Sequence, residues 1–107
     1  MSEFDDLRDL LREFAVERDW EQFHDPKNLA MAVASEAGEL LAEFRWLTPG
    51  EANSKTIGEK KREDVSHEMA DTLIFLIRLA DVLGIDLVAA TKDKIEINRG
   101  RFPIVKI

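Results

Sequence analysis

The chain has 107 residues, of which 45% are hydrophobic and 35% charged, and its formal net charge is −7. This balance predicts one globular domain over residues 1–107, and the absence of cysteine excludes disulfides and thiolate metal sites. The negative charge argues against binding to nucleic-acid backbones. No apolar run is long enough to span a bilayer, and the N-terminus lacks a signal-peptide layout. We therefore expect a cytoplasmic protein without nucleic-acid or membrane partners.

Helical patterns fill the first half of the chain, and no strand pattern competes with them. Ser2 can cap a first helix that reaches about Trp20. A connection then leads to Asp25-Pro26, a capping residue followed by a proline at the first helical position. The second helix runs to about Trp46, and the turn residues that follow predict a loop over residues 48–58.

Two further helices are predicted in the second half. The third covers about residues 59–83, where Gly84 is placed to end it. Asp86 can cap a fourth helix over about residues 87–99, and Gly100 is expected to end that helix. The fold class is therefore all-α, a four-helix-bundle-like chain with three long helices and a shorter C-terminal one.

The second helix is apolar on most sides, which is typical of a helix buried on most sides. A chain of this length builds only a limited core of its own. We therefore expect a homodimer or homotetramer, with an internal central helix in a monomer as the alternative. The apolar tail over residues 102–107 is also expected to pack. The second helix is apolar on its other side too because of Ala30, Met31, Ala34, Ala37 and Leu41.

Two acidic pairs interrupt the apolar stripes, Glu36-x-x-Glu39 in the second helix and Glu68-x-x-Asp71 in the third. Each pair shares one helical face, and no basic residue occurs over 28–44 to neutralise the first pair. Carboxylates that face an apolar interior are costly unless a cation neutralises them. Opposed, the two faces predict a site for a hard divalent cation, Mg²⁺ or alternatively Mn²⁺.

Two other interpretations of these acids are open at this point. The acidic faces could pair with a basic partner, which would make the chain a non-catalytic interaction module. A carboxylate-bridged di-iron protein would need two Glu-x-x-His motifs. The chain offers only Asp64-x-x-His67, once, so the di-iron interpretation ranks low.

The acidic pairs and their flanks resemble the MazG-like all-α nucleoside triphosphate pyrophosphohydrolases, and most of all the dCTP pyrophosphatase branch. The resemblance covers nearly the whole chain. It implies Mg²⁺-dependent hydrolysis between the α and β phosphorus atoms of a (d)NTP, dCTP-like preferred, as nucleotide-pool house-cleaning. The flanking segments that carry it are Arg18-Asp-Trp-Glu-Gln-Phe-His-Asp-Pro-Lys-Asn28, Ser35-Glu-Ala-Gly-Glu-Leu40, Phe44-Arg-Trp46 and Lys94-x-x-x-Asn98-Arg-x-Arg101-Phe-Pro103.

The resemblance assigns metal binding to Glu36, Glu39, Glu68 and Asp71. It also implies that one of the first pair, Glu36 or Glu39, orients or deprotonates the attacking water. Assembly into a dimer, or into a tetramer made of dimers, is implied as well.

Substrate roles are implied for two further groups of residues. Lys94, Asn98 and Arg101 would contact the phosphates, and they share one helical face if the fourth helix continues past Gly100. Trp20, His24 and Trp46 are candidates for the base pocket, since aromatic faces stack on nucleobases and a histidine can read a base edge.

Two positions depart from some eukaryotic dCTP enzymes of this branch. Leu11 and Phe75 stand where those enzymes carry a histidine and a tyrosine. Both substitutions remove hydrogen-bonding groups that could contact the nucleotide. The base preference therefore follows less directly from the resemblance than the pyrophosphohydrolase activity does.

Overall fold

A computed structural model of the protein describes residues 2–105, which form helices and no strand. The expected all-α fold is confirmed. The fourth helix is not shorter than the first, because both have 15 residues. Positions 106 and 107 of the predicted apolar tail lie outside the described residues. The helices are α1 (Glu3–Glu17), α2 (Pro26–Ala42), α3 (Glu59–Leu83) and α4 (Leu87–Arg101), with a short 3-10 helix (Glu21–Phe23) before α2.

Side-chain caps begin three of the four helices, as the sequence predicts. The Ser2 hydroxyl accepts a hydrogen bond from the Asp5 amide, and the Asp5 side chain completes a capping box. Asp25 and Asp86 accept in the same way from the amides of residues three positions on, at 2.8 and 3.0 Å. These caps satisfy amide groups that would otherwise lack partners in the first helical turn.

The ends of α1 and α4 differ from the sequence-based expectation. Helix α1 stops at Glu17 rather than Trp20, because Asp19 adopts a left-handed conformation with φ of 56°. The amides of Asp19 and Trp20 donate to the carbonyls of residues 16 and 15, which is the Schellman arrangement. Helix α4 continues through Gly100 to Arg101, so that glycine does not end it.

The second helix also ends early, at Ala42 rather than Trp46. Beyond it the amides of Glu43 and Phe44 donate to carbonyls only three residues back, which tightens the chain into turns. Gly84 ends α3 as expected, with φ of 68°.

The two acidic faces meet because α3 packs along α2. Over a shorter length, α3 also packs against α1. The small core consists of Ala15, Leu29, Ile77 and Ala80, which come from these three helices. Helix α4 has few contacts with the others and no buried residue.

The chain is more open than a typical monomer of its length. Its radius of gyration is 17.1 Å, whereas a compact domain of this length has about 13 Å. Its accessible surface is 8372 Å², against about 6,100 Å² for a folded monomer of similar mass. Within residues 2–105, no helix combines the length and apolarity needed to cross a membrane.

Candidate active site

Three of the predicted metal-binding acids come together where α2 packs on α3. Glu36, Glu68 and Asp71 each offer a carboxylate oxygen, and these oxygens all lie within 4.8 Å of one another. Glu36 and Glu68 are half-buried, whereas Asp71 is exposed at the edge. The group contains only oxygen donors, which is the ligand set that Mg²⁺ and Mn²⁺ prefer.

Glu68 is the most constrained member of this group. Its Oε2 atom is buried and has no hydrogen-bond partner among residues 2–105. Burial raises the pKa of Glu68 above its ordinary value of 4.5, and the charges of Glu36 and Asp71 raise it further. A bound cation would satisfy the orphaned oxygen and offset the repulsion, so these residues fit a divalent metal.

The neighbouring acids are in different surroundings. Glu39 is exposed and lies outside the group of three, although its charge also contributes to the raised pKa of Glu68. Glu43 forms an ion pair with Lys61 across the helix interface at 3.1 Å. Asp64 pairs with a lysine one turn earlier on α3, at 2.9 Å. These two ion pairs neutralise two acids that neighbour the group of three.

A small cavity lies between α1, the 3-10 segment and α3. It has a volume of about 150 Å³ and contains two of the three predicted base-pocket residues, Trp20 and His24. The Trp20 ring lies 5.7 Å from the Phe14 ring and 6.5 Å from the His24 ring, measured between centroids. The residues that line the cavity are Leu11, Phe14, Ala15, Trp20, His24, Ile74, Phe75 and Arg78.

The third predicted base-pocket residue, Trp46, is not brought to this cavity. It sits in the turns after α2, is 83% exposed, and lies beneath the Arg45 guanidinium at 5.1 Å. The early end of α2 moves it off that helix. Leu11 and Phe75, the two departures noted in the sequence, both line the cavity and make it more apolar.

Comparison with known proteins gives one consistent result. The chain is 44% identical to human dCTP pyrophosphatase 1 over 99 residues, and 42% identical to the rat protein of that name over 100 residues. These matches cover 92% and 94% of this chain but only 58% and 59% of the relatives, so the chain spans a little over half their length. No protein-family profile matches the chain.

A solved structure agrees over nearly its full length. The crystal structure of a pyrophosphatase from Archaeoglobus fulgidus superposes with a TM-score of 0.88 at 36% sequence identity, covering 97% of this chain and 95% of that one. The chain belongs to the MazG-like pyrophosphohydrolase family. The curated relatives connect it with the dCTP pyrophosphatase branch of that family.

One residue of this MazG-like chain was missed by sequence reasoning. Arg78 lies in an apolar run of α3, is only 4% exposed, and reaches the cavity beside His24. Its Nε donates to His24 Nδ1 at 3.3 Å, and its Nη1 donates to Asp81 at 2.9 Å. Burial and the adjacent Arg78 charge lower the pKa of His24, which favours the neutral ring. The available signal was a charged residue inside an apolar stripe, which is the same signal that revealed the acids.

The predicted phosphate-binding residues of this family member lie on α4. Because that helix continues through Gly100, Lys94, Asn98 and Arg101 fall on one helical face. Asn98 is half-buried, and the two basic residues are exposed.

Proposed function

We propose that this chain hydrolyses nucleoside triphosphates, dCTP-like ones preferred, to the nucleoside monophosphate and pyrophosphate in a Mg²⁺-dependent reaction. The role we propose is removal of unwanted nucleotides from the cellular pool. Membership of the family and the names of the curated relatives support the reaction class. The observation that carries the proposal is the converging group of Glu36, Glu68 and Asp71, with its orphaned Glu68 oxygen.

We assign metal binding to Glu36, Glu68 and Asp71, with Mg²⁺ preferred and Mn²⁺ able to replace it. A bound divalent ion lowers the pKa of water and offsets charge on phosphate oxygens. Glu39 follows Glu36 by three residues and shares its helical face, although it lies outside the group of three. We assign to Glu39 the role of orienting the attacking water and accepting its proton, with Glu36 as the alternative base.

Substrate positioning is divided between two parts of the chain. We propose that Trp20 and His24 hold the base in the cavity and that Trp46 closes over the substrate from the turns after α2. Lys94, Asn98 and Arg101 would donate to the phosphates, a role that their common helical face supports.

We also propose that two or four copies of the chain assemble. The outer side of α2 exposes Met31 at 60% and Leu41 at 64%, and further large hydrophobic side chains are exposed on α4 and after it. The chain also has roughly a third more accessible surface than a folded monomer of its size. A second copy is the occupant that would cover this surface. Residues 1–107 are proposed to act as one domain, and a cytoplasmic location stays a prediction.

The decisive experiment offers all common dNTPs and NTPs with Mg²⁺ and measures monophosphate and pyrophosphate separately. We expect pyrophosphate from dCTP, and loss of at least about 100-fold in kcat/KM for Asp71→Asn with the fold retained. Glu63→Gln, an exposed acid on the same helix, is the matched control and should retain activity. Release of single phosphates by the wild-type protein would overturn the proposal.

A further inference from the structure

The Arg78 guanidinium is held from both sides next to the cavity. On one side Asp81 accepts a hydrogen bond from it at 2.9 Å, and on the other His24 Nδ1 accepts one at 3.3 Å. Asp81 is itself fixed by Arg12, which donates to both of its carboxylate oxygens at 3.0 and 2.6 Å. The position of the buried guanidinium is therefore set by contacts with three elements: α1, α3 and the segment before α2.

These contacts leave hydrogen-bond donors available to a ligand. An arginine side chain carries five N–H groups and no acceptor. The two contacts described for Arg78 use the single Nε–H group and one of the two N–H groups of Nη1. His24 Nδ1 accepts from Arg78, so a neutral His24 carries its proton on Nε2 and is a second donor. The remaining lining residues are nearly all apolar, so the cavity presents donors without matching acceptors.

The position of the cavity suits the base of a nucleotide. Arg78 follows Asp71 by seven residues on α3, so the two share a face and are roughly 10 Å apart along the axis. The cavity is also smaller than the roughly 300–1,000 Å³ of sites that enclose a whole ligand. It can therefore hold one ring while the phosphates extend towards the acidic group.

Resting on the proposed function, we propose that Arg78 is a specificity-determining residue that donates, together with His24, to the O2 and N3 acceptors of cytosine. Cytosine presents these two acceptors side by side, whereas uracil and thymine carry an N–H at position 3. A donor at that point would face another donor in those bases. Discrimination arises because an unpaired buried polar group is costly.

The kinetic test compares dCTP with dUTP, which has the same sugar and phosphates and differs only at positions 3 and 4 of the base. In Arg78→Met the dCTP:dUTP ratio of kcat/KM should fall by about 10- to 100-fold while pyrophosphate release continues. Arg8→Met is the matched control, since Arg8 pairs with Asp5 and Asp9 on the surface of α1, outside this cavity. An unchanged ratio in Arg78→Met would overturn the proposal.

A second measurement uses the wild-type protein and so does not depend on the folding of a variant. The NMR signal of the Arg78 Nε–H group is followed while dCMP or dUMP is added without metal. We expect a shift that saturates with dCMP and a much smaller one with dUMP. Equal shifts, or none, would refute the role of Arg78 even if the enzyme is active. If instead no triphosphate yields pyrophosphate, the proposed function fails, and the dCMP titration still decides whether Arg78 reads the base.

Discussion

At the scale of single residues, two charged side chains of α3 stand out because one is half-buried and the other is buried. Glu68 and Arg78 lie ten residues apart on α3, each inside a stripe of apolar neighbours. Glu68 has an oxygen without a partner, whereas Arg78 is held by two. This difference supports our proposal that Glu68 binds the metal, whereas Arg78 is already positioned by its two partners.

Replacing Glu68 by Gln should have opposite effects with and without metal. Without metal the variant should melt at a higher temperature than wild type, because burial and the charges of Glu36 and Asp71 disfavour the Glu68 carboxylate. With Mg²⁺ at 100 times its dissociation constant, the free energy of unfolding of wild type should rise by about 2.7 kcal/mol. That of the variant should hardly change. Calorimetry with and without Mg²⁺ measures both effects. A Mg²⁺ gain in Glu68→Gln equal to that of wild type would count against this metal site.

Asp81 should make stability depend on pH at the acidic end. Its hydrogen bonds with Arg12 hold its pKa below the ordinary value of 3.8. On acidification, the Asp81 carboxylate is therefore protonated in the unfolded chain before it is protonated in the folded one. Its contribution to the free energy of unfolding is complete above about pH 4 and is lost as pH falls through the folded-state pKa. Asp81→Asn should lower the free energy of unfolding by about 3 kcal/mol at neutral pH. The loss should be smaller below pH 4.

Urea unfolding at a series of pH values checks this prediction. Asp93→Asn serves as the control, because Asp93 is exposed on α4. A difference between wild type and Asp81→Asn that stays constant down to pH 2 would show that the ion pair does not carry the effect.

At the scale of elements, helix ends determine where the site residues stand. The Schellman arrangement after α1 turns the chain so that Trp20 lies against Phe14 at the cavity. The early end of α2 leaves Trp46 in exposed turns. The passage of α4 through Gly100 keeps Arg101 on the same face as Lys94. Each of these ends changes the position of a substrate-binding candidate.

Two glycines should respond in opposite directions to replacement by alanine. Gly84→Ala should lower the free energy of unfolding by about 1 kcal/mol, because Gly84 is left-handed with φ of 68°. Gly100→Ala should raise it by about 0.5–1 kcal/mol, because Gly100 is helical and an added Cβ meets no described atom within 4 Å. Urea titration compares the two, and destabilisation by Gly100→Ala would indicate that α4 ends earlier.

At the scale of the whole molecule, the chain exposes many large hydrophobic side chains. The four buried hydrophobic side chains of residues 2–105 form only a small core, and α4 has little to pack against. The open shape follows from this packing, since only α1, α2 and α3 share a core. We propose that a second copy of the chain covers the outer side of α2 and the apolar residues of α4.

Leu41→Glu should dissociate the assembly. Leu41 is 64% exposed on the outer side of α2. Losing the burial of this side chain in an interface should weaken the free energy of association by about 2 kcal/mol per subunit. The glutamate charge buried in its place should weaken association further. Light scattering coupled to size exclusion measures the mass against the 12.2 kDa of one chain. Lys27→Glu, an exposed charge reversal on the same helix, should leave the mass unchanged. A wild-type protein that elutes as a monomer would contradict the proposed assembly.

Features that depend on near neighbours along the chain could be predicted from the amino-acid sequence alone. The caps at Ser2, Asp25 and Asp86 and the end of α3 at Gly84 follow from local hydrogen bonding and backbone sterics, which act over three or four residues. The acids at Glu36 and Glu68 were also visible, because a charge within an apolar stripe needs no partner to be noticed.

Which of these residues come into contact could be learned only from the packing of the helices. It grouped Glu36, Glu68 and Asp71 and left Glu39 outside, it paired Glu43 with a lysine on α3, and it brought Arg78 to His24 across 54 positions. Such contacts depend on the packing of whole helices against one another. Helical periodicity fixes the face on which a side chain lies, but not the distance from that face to a side chain on another helix.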